Sequence, residues 1–319
     1  MLMRRFVVQM TYAVGMILVG DGTVLGQNYP TKPIRMVTAQ IGGGADFTAR
    51  LVAQGLSSAV GRSVVVDNRG LTSMQIVANA PPDGYTLLCY GSPMWIGPLM
   101  QDVSWNPVKD FAPITVATKT PNILAVHPSV PAKSVRELIA LAKARPGELN
   151  YASGSPGATS HLGGELFKSM AGVDIVHIAY KGNGPALTAL IAGQVQMMLA
   201  NVAGVLPHVS AGRLTALAVT SAQPSALAPG LPTVSAAGLP GYELVTTVSL
   251  FAPAGTPAPL IKLLNQTLVR VLNSADIKEK FFRTGVEVEP GSPEELMATM
   301  KSEIAQFGKV VKDAGLRER

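Results

Sequence analysis

The sequence predicts an α/β protein built as two units. Two observations predict it: short apolar runs alternate with helical patterns along most of the chain, and Gly- or Pro-containing turns separate them. The chain has 319 residues, which fits about two domains. Hydrophobic residues make up 47% and charged residues 14%, with 32 Gly and 24 Pro, so there is material for real cores between many tight turns.

The first unit opens with a strand over residues 34–40. Gly42-Gly43-Gly44 follows, then a helix from about Asp46 to Val60. Val52, Leu56 and Val60 recur on one face of that helix and Gly61 ends it. A second strand covers residues 63–67. Pro81-Pro82-Asp83-Gly84 is a turn, and residues 85–90 form the next strand.

The second unit begins near Asn122 with a strand over residues 123–126. Ser134 and Glu137 read as a capping box for a helix that Pro146-Gly147 stops. A strand over 149–152, a helix over 160–170 and a strand over 175–180 come next. Pro185 falls in the first turn of the following helix, where its missing N–H costs nothing. Strands at 195–199 and 214–220 flank one more helix. Residues 244–251 form a strand again, and the remainder is helical. Ser292-Pro293-Glu294-Glu295 opens the last helix, which runs to about Ala314. The expected division is lobe one at 27–122 and 250–319 and lobe two at 123–249, with hinge crossings near Asn122 and Leu250.

Arg4 and Arg5 precede an uncharged stretch over residues 6–20, and small residues lead on to Gln27. This is the pattern of a secretory signal peptide over residues 1–26, cleaved after Gly26. The apolar run is shorter than the roughly 20 residues of a spanning helix. A soluble, exported protein is therefore expected. The formal charge of +6 is scattered, with no basic stripe for nucleic acid. Cys89 is the sole cysteine, so no internal disulfide or Cys-based metal site can form, and its apolar neighbours suggest a buried, inert thiol. No two histidines stand at metal-ligand spacing.

Three loops fall at the carboxyl ends of expected strands, where open α/β sheets bind ligands. The first carries Gln40, Gly43, Gly44, Ala45 and Asp46. The second carries Ser155, Gly157, Ala158, Thr159 and Ser160. The third carries Tyr180, Lys181 and Gly182. Each leads into a helix N-terminus, where unpaired N–H groups and the positive dipole end suit an anion without any charged side chain. Ser92 belongs to a further loop, and Trp95 beyond it offers an aromatic face for stacking. Gly42-x-Gly44 partly matches a dinucleotide fingerprint, but Phe47 stands at its third glycine and no phosphate loop occurs elsewhere. Ser155, Ser160 and His161 lie close together, yet the chain has no Gly-x-Ser-x-Gly elbow, which disfavours a hydrolase. No cofactor is expected.

The chain resembles the substrate-binding proteins of tripartite tricarboxylate transporters, the group also named after Bordetella uptake genes. The resembling stretches include Tyr29-Pro30-Thr31-Lys32-Pro33-Ile34, Val66-Asp67-Asn68-Arg69 and Pro82-Asp83-Gly84-Tyr85-Thr86-Leu87-Leu88. They continue with Lys109-Asp110-Phe111-Ala112-Pro113-Ile114, Asn150-Tyr151-Ala152-Ser153, Ser160-His161-Leu162, Tyr180-Lys181-Gly182 and Pro253-Ala254-Gly255-Thr256-Pro257. The resemblance implies a type II periplasmic binding protein: two α/β lobes joined by a hinge, a cleft between them and no catalysis. It implies a small organic carboxylate held by backbone amides, hydroxyls and waters, and delivery to the large and small subunits of a membrane permease; the receptor itself is expected to be a monomer. Some relatives look like sensors, which would pair with a sensor kinase instead. Many members have Asp-Asn where this chain has Ala200-Asn201. Asn201 joins the candidate contacts, and Ala200 removes an anion that would pair with an ammonium group, so a carboxylate without an amino group is expected.

Overall fold

The computed structural model describes residues 29–42, 44–154 and 158–317. The expected signal peptide lies outside the described residues, as do Gly43, Ser155 and Gly157. The first half of the fold contains β1 (Ile34–Thr38), α1 (Gly44–Val60), β2 (Val64–Asn68), α2 (Thr72–Ala78), β3 (Thr86–Gly91) and α3 (Pro93–Met100). β1 lies between β2 and β3 and is parallel to both. On α1, Ala49, Val52, Ala53 and Leu56 are buried, the four-residue spacing that the sequence displays.

β4 (Phe111–Val126) then runs for 16 residues through both halves of the sheet. The second half follows with α4 (Val135–Ala144), β5 (Asn150–Ser153), α5 (Thr159–Ala171), β6 (Val176–Ala179), α6 (Asn183–Ile191), β7 (Met197–Asn201), α7 (Val202–Ser210), β8 (Thr215–Val219) and α8 (Val234–Ala237). β5 is parallel to β6 and β7. The chain returns through β9 (Val245–Pro253) and closes with α9 (Ala258–Leu272), α10 (Ala275–Phe282), β10 (Glu287–Val288) and α11 (Pro293–Asp313). The strand order is β2-β1-β3-β9-β4-β7-β5-β6, with β8 and β10 also paired to β4.

The pairing shows where β4 changes partners. Residues 111–121 of β4 pair antiparallel with β9, and from Asn122 onward β4 pairs with β7 and β8. β9 begins its pairing at Val245, opposite Pro121, and stays with β3 and β4 to its end. The expected crossing at Leu250 falls inside β9, which pairs with the first part of β4 from Val245 onward. Thr220 ties the crossings together. Its Oγ1 accepts from the Asn122 amide at 2.8 Å and donates to the Leu244 carbonyl at 2.5 Å, while its own N–H meets the Asn122 carbonyl at 2.9 Å.

Each half has its own buried cluster, and a third one spans them. The spanning cluster joins Leu296, Met300 and Phe307 of α11 to Trp95 of α3 and to Leu162 and Leu166 of α5. The tail thus packs on both halves. Ser292 and Glu295 form the reciprocal capping box that opens α11. Ser134 caps α4, but the Glu137 carboxylate takes the Lys133 N–H instead of closing a box. Cys89 is buried, and burial pushes its thiol pKa up, which leaves it inert.

Candidate ligand cleft

A cleft of about 540 Å³ opens between the two halves of the sheet. Its floor is the crossing region: Thr120 and Asn122 of β4, with Leu244, Val245 and Thr246 on the returning strand. Five helix N-termini reach its walls. Gly44 opens α1, Ser92 and Pro93 open α3, Thr159 and Ser160 open α5, Asn183 opens α6, and Asn201 caps α7. βα connections end at the same sheet edge, so these helix starts converge by topology. No Lys or Arg lines the cleft among the described residues. Free N–H groups and helix dipoles supply its positive potential.

The second-half loops are braced against each other. The Gly154 N–H donates to Ser160 Oγ at 3.1 Å, and Ser160 Oγ donates to Asn183 Oδ1 at 3.1 Å. The Gly182 N–H donates to the Gly154 carbonyl at 2.5 Å. A side chain at 154 would run into Asn183, its Cβ 2.9 Å from the Asn183 backbone nitrogen, so this close approach requires glycine. Beneath the loops, His161 stacks on His177 with centroids 4.0 Å apart, and His177 stacks on Tyr151 at 4.9 Å. Ser153 Oγ and His177 Nε2 are 2.7 Å apart, and the Tyr151 hydroxyl donates to Glu165 at 2.6 Å. Burial, reinforced by the neighbouring His177 and Lys168 against an opposing pull from Glu165, pushes the His161 pKa down to about 4; burial also lowers the pKa of His177.

Among the sequence candidates, Gly44, Ser92, Ala158, Thr159, Ser160 and Asn201 lie on the cleft. Gln40, Ala45 and Asp46 do not. Asp46 turns back into its own loop, where it accepts from the Gly42 N–H and from Asn68, both at 2.9 Å, and pairs with Arg50. Burial alone would raise its pKa; the Gly42, Asn68 and Arg50 contacts overcome that and hold it below the usual range. Tyr180, Lys181 and Gly182 also lie outside the lining, and the next residue, Asn183, takes that place. Trp95 presents no face for stacking: it is fully buried in α3, edge-on to Phe251 with centroids 6.1 Å apart. Packing required a large apolar residue beneath the cleft wall.

Asn122 and Glu303 are among the cleft-lining residues that the sequence reasoning missed. Asn122 is 5% exposed, and its Nδ2 has no hydrogen-bond partner in the protein, although a buried amide donor is costly to leave unpaired. It lies opposite Asn201 in the β4–β7 register and offers a donor at the floor. The other is Glu303 of α11, the one ionisable side chain among the described lining residues. Among the described residues no three His, Cys, Asp or Glu side chains come together as metal ligands.

A mixed α/β chain that crosses twice between two sheet halves and keeps an anion-suited cleft between them is a solute-binding protein of the type II periplasmic class. Residues 48–316 match the family model described as tripartite tricarboxylate transporter family receptor, and the chain belongs to that family. It is 33% identical over 302 residues to protein BugT of Bordetella pertussis, covering 92% of this chain and 93% of BugT. An R. palustris protein solved with adipate is similar at 37% identity and TM-score 0.72, covering 90% of this chain and 98% of that one. MatC from Rhodopseudomonas palustris, solved with bound malate, is similar at 28% identity and TM-score 0.68, covering 89% of this chain and all of that one.

Proposed function

We propose that this protein is a periplasmic receptor that captures a small organic carboxylate between two lobes and delivers it to a tripartite tricarboxylate-type membrane transporter. One observation carries the reading: among the described residues, five helix N-termini converge on a cleft lined by no lysine or arginine. Such a site binds an anion through N–H groups and hydroxyls, with each charge-assisted bond contributing about 1.5–3 kcal/mol. A handful of them outweighs the entropy lost on binding and reaches micromolar affinity. The adipate- and malate-bound relatives support a carboxylate as the anion.

Capture works by closure. The lobes rotate about Asn122 and Leu244, and a ligand that touches both walls only in the closed form shifts the equilibrium toward it. The protein is a monomer without catalytic activity and takes no cofactor. Residues 1–26 direct export, and among the described residues no helix is long and apolar enough to cross a membrane. The large and small permease subunits receive the loaded receptor. Native mass spectrometry of periplasmic protein tests the reading. It should show a chain starting near Gln27 that releases a small organic acid on denaturation. A protein retaining Met1, or one that carries a non-acidic solute, would refute it.

A further inference from the structure

The tail helix places Glu303 on the cleft lining, where it also borders a neighbouring cavity shared with Lys119 and Glu243. The buried stripe of α11 includes Leu296, Met300, Phe307 and Val310, and Glu303 falls between Met300 and Phe307 on that stripe. A carboxylate at such a position needs partners. Trp95 Nε1 donates to Glu303 Oε2 at 2.7 Å, and because Trp95 is fully buried the carboxylate is held by a rigid group. Its other oxygen makes no hydrogen bond within the protein among the described residues, while Glu303 lines the cleft.

The charges around Glu303 do not neutralise it. Glu243, just before the return crossing, adds negative potential, and Lys119 of β4 is engaged by Glu289 at 2.7 Å. Burial first, then Glu243, push the Glu303 carboxyl up to about 7 against the pull of Trp95 and Lys119. No lysine or arginine lines the cleft among the described residues, so a second ligand carboxylate placed beside an ionised Glu303 would be repelled by it. A hydrogen-bond donor there would meet a fixed, unused acceptor. The expectation of a ligand without an amino group rested on the missing anion at position 200. Ala200 faces the second-half core, and α11 supplies the anion from elsewhere.

Resting on the carboxylate reading above, we propose that Glu303 is a specificity-determining residue of this cleft. Trp95 holds one of its oxygens, and the other accepts from a hydroxyl or ammonium group of the bound acid. The receptor thus prefers hydroxy or amino carboxylates to plain aliphatic ones. A buried polar group built to pair with a ligand discriminates strongly against the analogue lacking its partner.

Calorimetry at pH 8 tests this with two skeleton-matched sets: succinate, malate and aspartate, and adipate, 2-hydroxyadipate and 2-aminoadipate. In the wild-type protein a donor-bearing acid should bind at least tenfold more tightly than its plain counterpart. A lead for the hydroxy acid assigns the donor as hydroxyl, and a lead for the amino acid assigns it as ammonium. In Glu303→Gln, which still offers Trp95 an acceptor, the donor-bearing acid should weaken about tenfold and the plain acid should strengthen. Equal wild-type affinity for the plain and donor-bearing acids overturns the proposal whether or not the variant folds. A preference that survives Glu303→Gln overturns it too, while carboxylate capture stands. Binding of none of the six acids would remove the carboxylate reading and this inference together.

Discussion

Thr220→Val should loosen the junction between β4 and the returning strand. Thr220 is fully buried where β4 and the returning strand meet. Its hydroxyl accepts from the Asn122 amide at 2.8 Å and donates to the Leu244 carbonyl at 2.5 Å. Valine has nearly the same shape, so the change opens no cavity and isolates the polar effect. The Asn122 N–H loses its acceptor, and an unsatisfied buried donor costs about 1–3 kcal/mol. The Leu244 carbonyl loses a donor as well. Together these should remove about 2–3 kcal/mol of stability, a fall in melting temperature of roughly 5 °C or more for a chain of this size. Thr220→Ser keeps the hydroxyl and should recover most of the loss. Thermal unfolding followed by circular dichroism measures both variants. A Thr220→Val protein melting within 1 °C of wild type would show that the hydroxyl does not tie the crossings together.

Other perturbations reach the site and its surroundings. Gly154→Ala forces Asn183 away from Ser160 and should weaken carboxylate binding by about 1.5 kcal/mol or more, the low end for one charge-assisted bond; calorimetry showing unchanged affinity would place the anion elsewhere. His161 titrates near 4 in the fold and near its ordinary 6.5 when unfolded, so the unfolded chain binds more protons between those values. Stability should fall as pH drops from about 6.5 toward 4, by up to about 3 kcal/mol, and denaturant melts of His161→Gln should lack this part of the acid loss. Glu303 runs the other way: its pKa rises from 4.5 to about 7 on folding, so the native state binds more protons and stability falls as pH rises through that window. Glu303→Gln should be more stable than wild type at pH 8 by up to about 3 kcal/mol; melts showing no gain would contradict the desolvation of this partly buried carboxylate. Cys89 should resist thiol reagents in the native protein and react once denatured, with native labelling arguing against its burial.

The alternation of strands and helices was legible because each element buries one periodic face. The starts of α5 and α11 could be placed to within a residue from Ser160 and from Ser292 with Glu295. The opening of β4 was not legible as a strand. Residues 111–121 include Pro113, Pro121, three threonines and Lys119 in no strict alternation, because a crossing strand changes partners and faces along its length. α3 hid for a similar reason: Pro93, Gly97 and Pro98 mask its helical character, so Trp95 read as a loop aromatic when it is a core residue. The glycine loops marked the helix starts, but only the fold selects which residue of each loop lines the cleft. In the third loop that is Asn183, one residue past the motif. Glu303 did leave a trace: a glutamate between Met300 and Phe307 breaks an apolar stripe, and such a break marks a buried polar role. Nothing local distinguishes Asn122. Its significance is the unpaired amide, which exists only once β4 and β7 are assembled.

Titration calorimetry of the mature protein with small acids and their neutral amides bears most directly on the central claim, that helix N-termini between two lobes capture a carboxylate. The account predicts that at least one acid binds with micromolar affinity or better and that its amide binds at least a hundredfold more weakly, since loss of the charge removes the charge-assisted bonds. An amide that binds as tightly as its acid would contradict it.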